Sequence, residues 1–271
     1  MARRRSDTDL TNEPAAGRPS AVTTVLVLGG ASDIGLAIVR RLATEGLTHA
    51  VLACRAPELL DQRLAKRPID GVVATTVVWD ALQSSAHAPL LAEASALLGG
   101  NIDLVVCAVG SLGHHSGLTM SAADADLLVR TNAAGPIAAL LETARVLLAQ
   151  SGGGSIVVLS SVAAARARKS NFVYGAAKAA LDASAQGLRD ALHGTDVRVH
   201  LVRPGFVVSK MTTGLTPAPM AAVPEDVAEA VIRAVRSPVS RVLWVPGRLG
   251  PLMAVLRNVP APVWRRIAGD R

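Results

Sequence analysis

Seven short apolar runs punctuate the chain: Val25–Leu28, Ala50–Cys54, Val72–Val78, Leu104–Cys107, Ile156–Leu159, Val197–Val202 and Val242–Val245. They are rich in β-branched residues and lack polar alternation, so they read as strands buried on both faces. Between them, apolar residues recur at helical spacing over Ile34–Glu45, Pro57–Lys66, Ser84–Leu98, Ala122–Leu148, Phe172–Leu192 and Pro224–Arg236. Strand–helix alternation with right-handed crossovers makes a parallel sheet with helices on both faces. The expectation is an α/β fold, a single doubly wound domain over residues 22–246. A basic tail precedes it (1–21, expected to be disordered) and a basic amphipathic extension follows it (247–271). Gly152-Gly153-Gly154 reads as a turn between helix and strand.

The turn after the first run, Leu28-Gly29-Gly30-Ala31-Ser32-Asp33-Ile34-Gly35, leads from a strand into a helix. In a doubly wound domain of Rossmann type that is where backbone N–H groups and a helix N-terminus meet a pyrophosphate, so the turn reads as nucleotide-binding or else as a plain strand-to-helix loop. Gly29 permits the tight turn and Gly35 lets helix and strand approach closely. Asp33 stands where such turns carry another glycine, and it is expected to point outward or cap the helix. The second strand ends Ala53-Cys54-Arg55, with no acid to bind a ribose diol. Arg55 either pairs with a 2′-phosphate, favouring NADP(H) over NAD(H), or is a solvated loop residue. Asp80 either contacts the adenine amino group or caps the next helix.

The chain holds one tyrosine, Tyr174, and Lys178 follows it four residues later on the same helical face. An ammonium beside a phenol, with a nicotinamide charge, is expected to pull the phenol pKa toward neutrality. Ser161 follows the fifth strand, at the carboxyl edge where open α/β sheets bind ligands.

These residues resemble the short-chain dehydrogenase/reductases over residues about 22–245. The resemblance implies catalytic roles for Ser161, Tyr174 and Lys178, and for Asn132 in Arg130-Thr-Asn-Ala, which would anchor a water linking Lys178 to solvent. It also implies that Pro204, Gly205, Val207 and Ser209 belong to the loop that receives the nicotinamide carboxamide. Gly29, Ser32, Asp33, Ile34 and Gly35 would line the phosphate turn, and Ala108 and Gly110 would take the place of the family's usual Asn-Asn-Ala-Gly. Four segments, 28–38, 171–175, 197–205 and 256–260, resemble more narrowly the decaprenylphosphoryl-2-keto-β-erythro-pentose reductases of mycobacteria and relatives. Those enzymes work beside a flavin oxidase on a polyprenyl-phosphate sugar for cell-wall arabinan. A reductase of another lipid or 3-ketoacyl ketone, or a non-catalytic nucleotide-binding partner of a membrane complex, are the alternatives. The family implies a homo-oligomer.

Charge refines this picture. The 271 residues carry a net +7, but residues 21–240 hold 18 basic and 17 acidic side chains. The last 31 residues hold six arginines against Asp270 alone. With only six aromatic residues and no basic stripe over the body, nucleic-acid binding is not expected. Arg166, Arg168 and Lys169 lie between Ser161 and Tyr174; they either hold a substrate phosphate or form a solvated basic loop. Leu249, Leu252, Met253 and Leu256 make one helical face flanked by Arg257, Trp264, Arg265 and Arg266. This stripe either rests at a lipid interface or packs on the chain's own domain or a partner subunit. His114-His115 lack a ligand cluster and read as loop, so no metal is expected. Cys54 and Cys107 read as reduced interior thiols. Neither a signal peptide nor a spanning segment is apparent, so the expected location is cytoplasmic or peripheral at a membrane.

Overall fold

A computed structural model describes residues 21–113 and 117–268; the Arg3–Arg5 tail, His114, His115, Asp270 and Arg271 lie outside the described residues. Seven parallel strands form one sheet: β1 (Thr24–Leu28), β2 (His49–Cys54), β3 (Val73–Val78), β4 (Leu104–Cys107), β5 (Gly154–Leu159), β6 (Val197–Pro204) and β7 (Val242–Val245). Their order is β3-β2-β1-β4-β5-β6-β7. The order reverses between β1 and β4, and the reversal opens a crevice beyond the strand carboxyl ends.

Helices α1 (Asp33–Ala43), α2 (Pro57–Lys66), α3 (His87–Leu97), α4 (Ala122–Val129), α5 (Gly135–Ala149), α6 (Phe172–Ala191) and α7 (Pro224–Val235) alternate with the strands, and α8 (Leu249–Leu256) and α9 (Ala261–Ala268) close the described chain. Two apolar layers sandwich the sheet. One joins α1 and α7 to residues such as Val27, Leu52 and Val202; the other joins α3, α5 and α6 to Leu26, Val105 and Ile156.

The expectation of strands buried on both faces holds for the inner strands and fails at the two edges, at β7, where Val242 is exposed, and at β3. There Val73 is 60% and Val78 72% exposed, because β3 is a sheet edge. The helix expected over Ala122–Leu148 is continuous but wound as a π turn over Arg130–Ala134, between α4 and α5. π turns interrupt α-helices mostly where a side chain must be re-aimed, and this one carries Asn132.

Candidate active site

A cleft of about 560 Å³ runs along the carboxyl edge of the sheet. Gly29, Ser32, Asp33, Ile34, Arg55, Asp80, Ala108, Gly110, Ser161, Tyr174, Lys178, Pro204, Gly205, Val207 and Ser209 all line it. Gly35 and Asn132 support the wall from behind. A Cβ on Gly35 would meet Val27 Cγ1 at 3.0 Å, the close helix–strand approach expected of it. Gly30 has a stricter requirement that the sequence reading passed over. A Cβ there would lie 2.7 Å from the backbone of Leu52, so β2 and the turn touch only through a glycine.

The turn delivers the N-terminus of α1 to the cleft, and Ser32 caps it by accepting the Gly35 N–H at 3.3 Å. Asp33 turns away from a lone-anion position. Its Oδ1 pairs with Arg63 NH2 at 2.9 Å, and its Oδ2 accepts the backbone N–H of Lys210 at 2.8 Å. Arg63 and the Lys210 ammonium both donate to the carbonyl of Ala31. The acid that replaces a family glycine is therefore balanced by two cations. It also ties the turn to the segment after β6.

Arg55 forms no ion pair or hydrogen bond among the described residues, so its charge is open to a ligand phosphate. Asp80, beside it on the wall, accepts the Leu82 N–H at 3.0 Å and shapes the bend after β3. These glycines, the capped helix end and the unpaired Arg55 suit a dinucleotide with an extra phosphate.

Tyr174, Lys178 and Asp182 follow one another at i, i+4 and i+8 on α6, so all three face the sheet. Burial pushes the Tyr174 phenol above its ordinary pKa, and a hydrogen bond with the Ser161 hydroxyl pulls it partly back. Among the chain's own groups Lys178 adds nothing to the lowering expected from it together with a nicotinamide charge. The Lys178 ammonium points instead to backbone carbonyls, donating to Leu159 at 3.0 Å and Val109 at 3.4 Å. Burial brings its own pKa down to about 8. Low dielectric around the phenol disfavours phenolate, so Tyr174 keeps its proton near neutral pH and stands as a donor.

Asn132 is held at three points. Its amide donates to the carbonyls of Ser111 at 2.9 Å and Leu128 at 3.0 Å and accepts the Ser111 N–H at 3.1 Å. A Cβ on Gly110 would press on both Asn132 Oδ1 (3.1 Å) and Lys178 Nζ (3.4 Å), so Gly110 is where these two polar groups converge.

Asp182 carries a role not assigned from the sequence, although its spacing from Lys178 signals it. It binds Arg203 through two hydrogen bonds, at 2.8 and 2.7 Å, and accepts the Ser160 hydroxyl at 2.7 Å. Arg203 in turn lies over the Trp244 ring, 4.9 Å from its centre. One buried carboxylate therefore joins α6, the strand end that carries Ser161 and the Arg203-Pro204-Gly205 turn. On the far side of that turn, a Cβ on Gly205 would lie 2.6 Å from Leu249 of α8.

Of the three cations before Tyr174, Arg168 lines the cleft. Arg166 turns the other way. It donates to the carbonyls of Leu256 and, at 2.7 Å, Val259, and covers the Trp264 ring at 4.4 Å. Its guanidinium is thus used to hold the C-terminal segment. Lys169 is exposed and is not part of the cleft wall. Asn171, one residue before α6, was also passed over; its side-chain oxygen is buried in the wall with no hydrogen-bond partner among the described residues.

The short chain dehydrogenase family matches residues 23–219. The chain belongs to that family. It is an oxidoreductase of the NAD(P)-dependent short-chain type. An uncharacterised oxidoreductase of Mycobacterium tuberculosis is 43% identical over 90% of this chain and 96% of its own length. One of Streptomyces coelicolor is 40% identical over 93% and 98%. Among solved structures, serine dehydrogenase of Escherichia coli is similar, with a TM-score of 0.68 and 28% identity over 82% of this chain and 96% of that one. A short chain dehydrogenase of Burkholderia cenocepacia in complex with NADP shares the fold, with a TM-score of 0.74 and 20% identity over 90% and 97%.

Proposed function

We propose that this dehydrogenase works as an NADP(H)-dependent carbonyl reductase whose substrate is the 2-keto-pentose of a polyprenyl phosphate. The observation that carries this reading is the Ser161–Tyr174 hydrogen-bonded pair in the cleft wall, with Lys178 one helical turn further on the same helix. When bound, the nicotinamide supplies hydride to the carbonyl carbon. Ser161 donates a hydrogen bond to the carbonyl oxygen and holds it beside Tyr174, which delivers its proton as negative charge develops there. Lys178, within the same wall, offers a cation to the coenzyme ribose and to the phenol once its proton has left. Gly29, Ser32 and the α1 N-terminus would hold the pyrophosphate, and Arg55 the 2′-phosphate.

Three features support the substrate class. The unpartnered Asn171 oxygen suits a sugar hydroxyl, since an empty buried acceptor is costly and a matching donor relieves it. Arg168, with no ion-pair partner among the described residues, offers a charge to a phosphate. Leu112, Leu127, Val162, Met211 and Leu215 give the rest of the wall an apolar lining suited to a lipid chain. The four segments that resemble the keto-pentose reductases point the same way and bring a flavin oxidase as the supplier of the ketone.

The test is NADPH and NADH oxidation by the purified protein, offered either polyprenylphosphoryl 2-keto-pentose or a 3-ketoacyl thioester. The expected result is turnover of the sugar with NADPH. Turnover confined to the thioester moves the substrate to fatty-acid chemistry; one relative, at 30% identity, is named a ketoacyl reductase. Coenzyme binding with no turnover of any ketone overturns the reductase reading.

A further inference from the structure

Helix α8, Leu249-Gly-Pro-Leu-Met-Ala-Val-Leu256, contains no polar side chain. One side of it is buried on the domain through Leu249 and Met253, 7% and 5% exposed. The opposite side is apolar as well, and it faces outward. Pro251, Leu252, Ala254 and Val255 are exposed there, Leu252 by 39% and Val255 by 66%. A helix that is apolar all round is ordinarily covered all round. Helix α9, next along the chain, also exposes a large apolar side chain, Val263.

Charge identifies the cover. Residues 241–268 hold five arginines and no acid. Arg248, Arg257, Arg265 and Arg266 are all exposed and form no ion pair among the described residues. A second copy of the chain on this face would set two such clusters against each other around the apolar contact. A nucleic acid would meet no free stacking ring, because Trp264 already lies under Arg166. An anionic bilayer meets both needs, taking the leucine and valine side chains among its acyl chains and the arginines among its headgroups.

We propose that the outer face of α8 and α9 docks the protein on an anionic membrane surface. This rests on the exposed apolar face and its arginines and is independent of which ketone is reduced. Arg166 gives the contact its orientation. It follows Ser161 by five residues, and by binding the carbonyls of Leu256 and Val259 it fastens the docking helices to the segment that borders the cleft. A docked molecule would therefore hold its cleft in a fixed relation to the bilayer.

The experiment is co-sedimentation of the full chain with phosphatidylcholine vesicles, with and without phosphatidylglycerol. Binding is expected only with phosphatidylglycerol, and it should weaken as salt rises. Arg265→Gln and Arg266→Gln should each weaken it about fivefold. The exposed double variant Leu252→Asp/Val255→Asp should abolish it, while Leu59→Asp, at a leucine on α2 exposed about as much as Val255, should leave it intact. NADPH binding unchanged in every variant shows that the fold is kept. The proposal is overturned if the wild type ignores anionic vesicles, if it binds neutral ones equally, or if the aspartate pair binds like the wild type. It is overturned too if that pair changes the sedimentation mass of the protein while vesicle binding stays unchanged, which would mark the face as a contact between copies.

Discussion

Tyr174, raised above its ordinary pKa by burial and hydrogen-bonded to Ser161, shows how residue-level surroundings hold a proton donor in place. Tyr174→Phe keeps the ring and removes the donor. Steady-state turnover should fall by about 10²–10⁴-fold while NADPH affinity, read by fluorescence titration, stays near the wild-type value. At Arg55 the expected effect is the reverse. Arg55→Ala should weaken NADPH binding and leave NADH binding almost unchanged, and equal dissociation constants for NADPH before and after the change would remove Arg55 from the coenzyme site. The Tyr174–Lys178 spacing and the placement of Ser161 were legible because each follows from a helix repeat or a strand end. That Lys178 adds no lowering of the phenol was not, because it depends on where a four-carbon chain turns. Here it turns to the carbonyls of Leu159 and Val109.

At the scale of elements, the unexpected connection is between the turn before α1 and the segment after β6. Asp33 and Lys210 are 177 residues apart and meet at 2.8 Å. No local pattern announces this, since an acid in a glycine turn reads the same whether or not a distant N–H is waiting for it. Asp33→Gly restores the family glycine and releases the tie. Trypsin should then cut after Lys210 several times faster than in the wild type, monitored by mass spectrometry without coenzyme; an unchanged rate would show that the tie does not hold the segment. Arg166 teaches the same lesson. Its position between Ser161 and Tyr174 suggested substrate, yet its hydrogen-bond partners lie 90 and 93 residues along the chain. The edge position of β3 was hidden for a simpler reason: an apolar run does not state how many neighbours it has.

For the whole molecule, the alternation of strands and helices was sufficient to give the doubly wound sheet, because seven parallel strands with right-handed crossovers admit few arrangements. Its stability should depend on pH through a group far from the cleft. His200, in the middle of β6, is fully buried, and neither ring nitrogen has a partner among the described residues. Burial lowers its pKa to about 4, with Arg198 and Arg241 adding to the effect. Between about pH 6.5 and 4 the unfolded chain binds a proton that the folded chain refuses, so stability is complete above that window and declines as pH falls through it. The loss should be about 3 kcal/mol. Urea unfolding of wild type and His200→Leu at pH 7 and 4.5 measures it, and the variant should lose distinctly less than the wild type.

The close approach of Leu249 to Gly205 makes α8 a keel under the loop proposed to receive the coenzyme rather than an appendage. A chain cut at Arg248 would leave that loop's underside facing water. Shortened forms should therefore lose their grip on the dinucleotide as well as on any surface they settle upon, and tags are better placed at the other end.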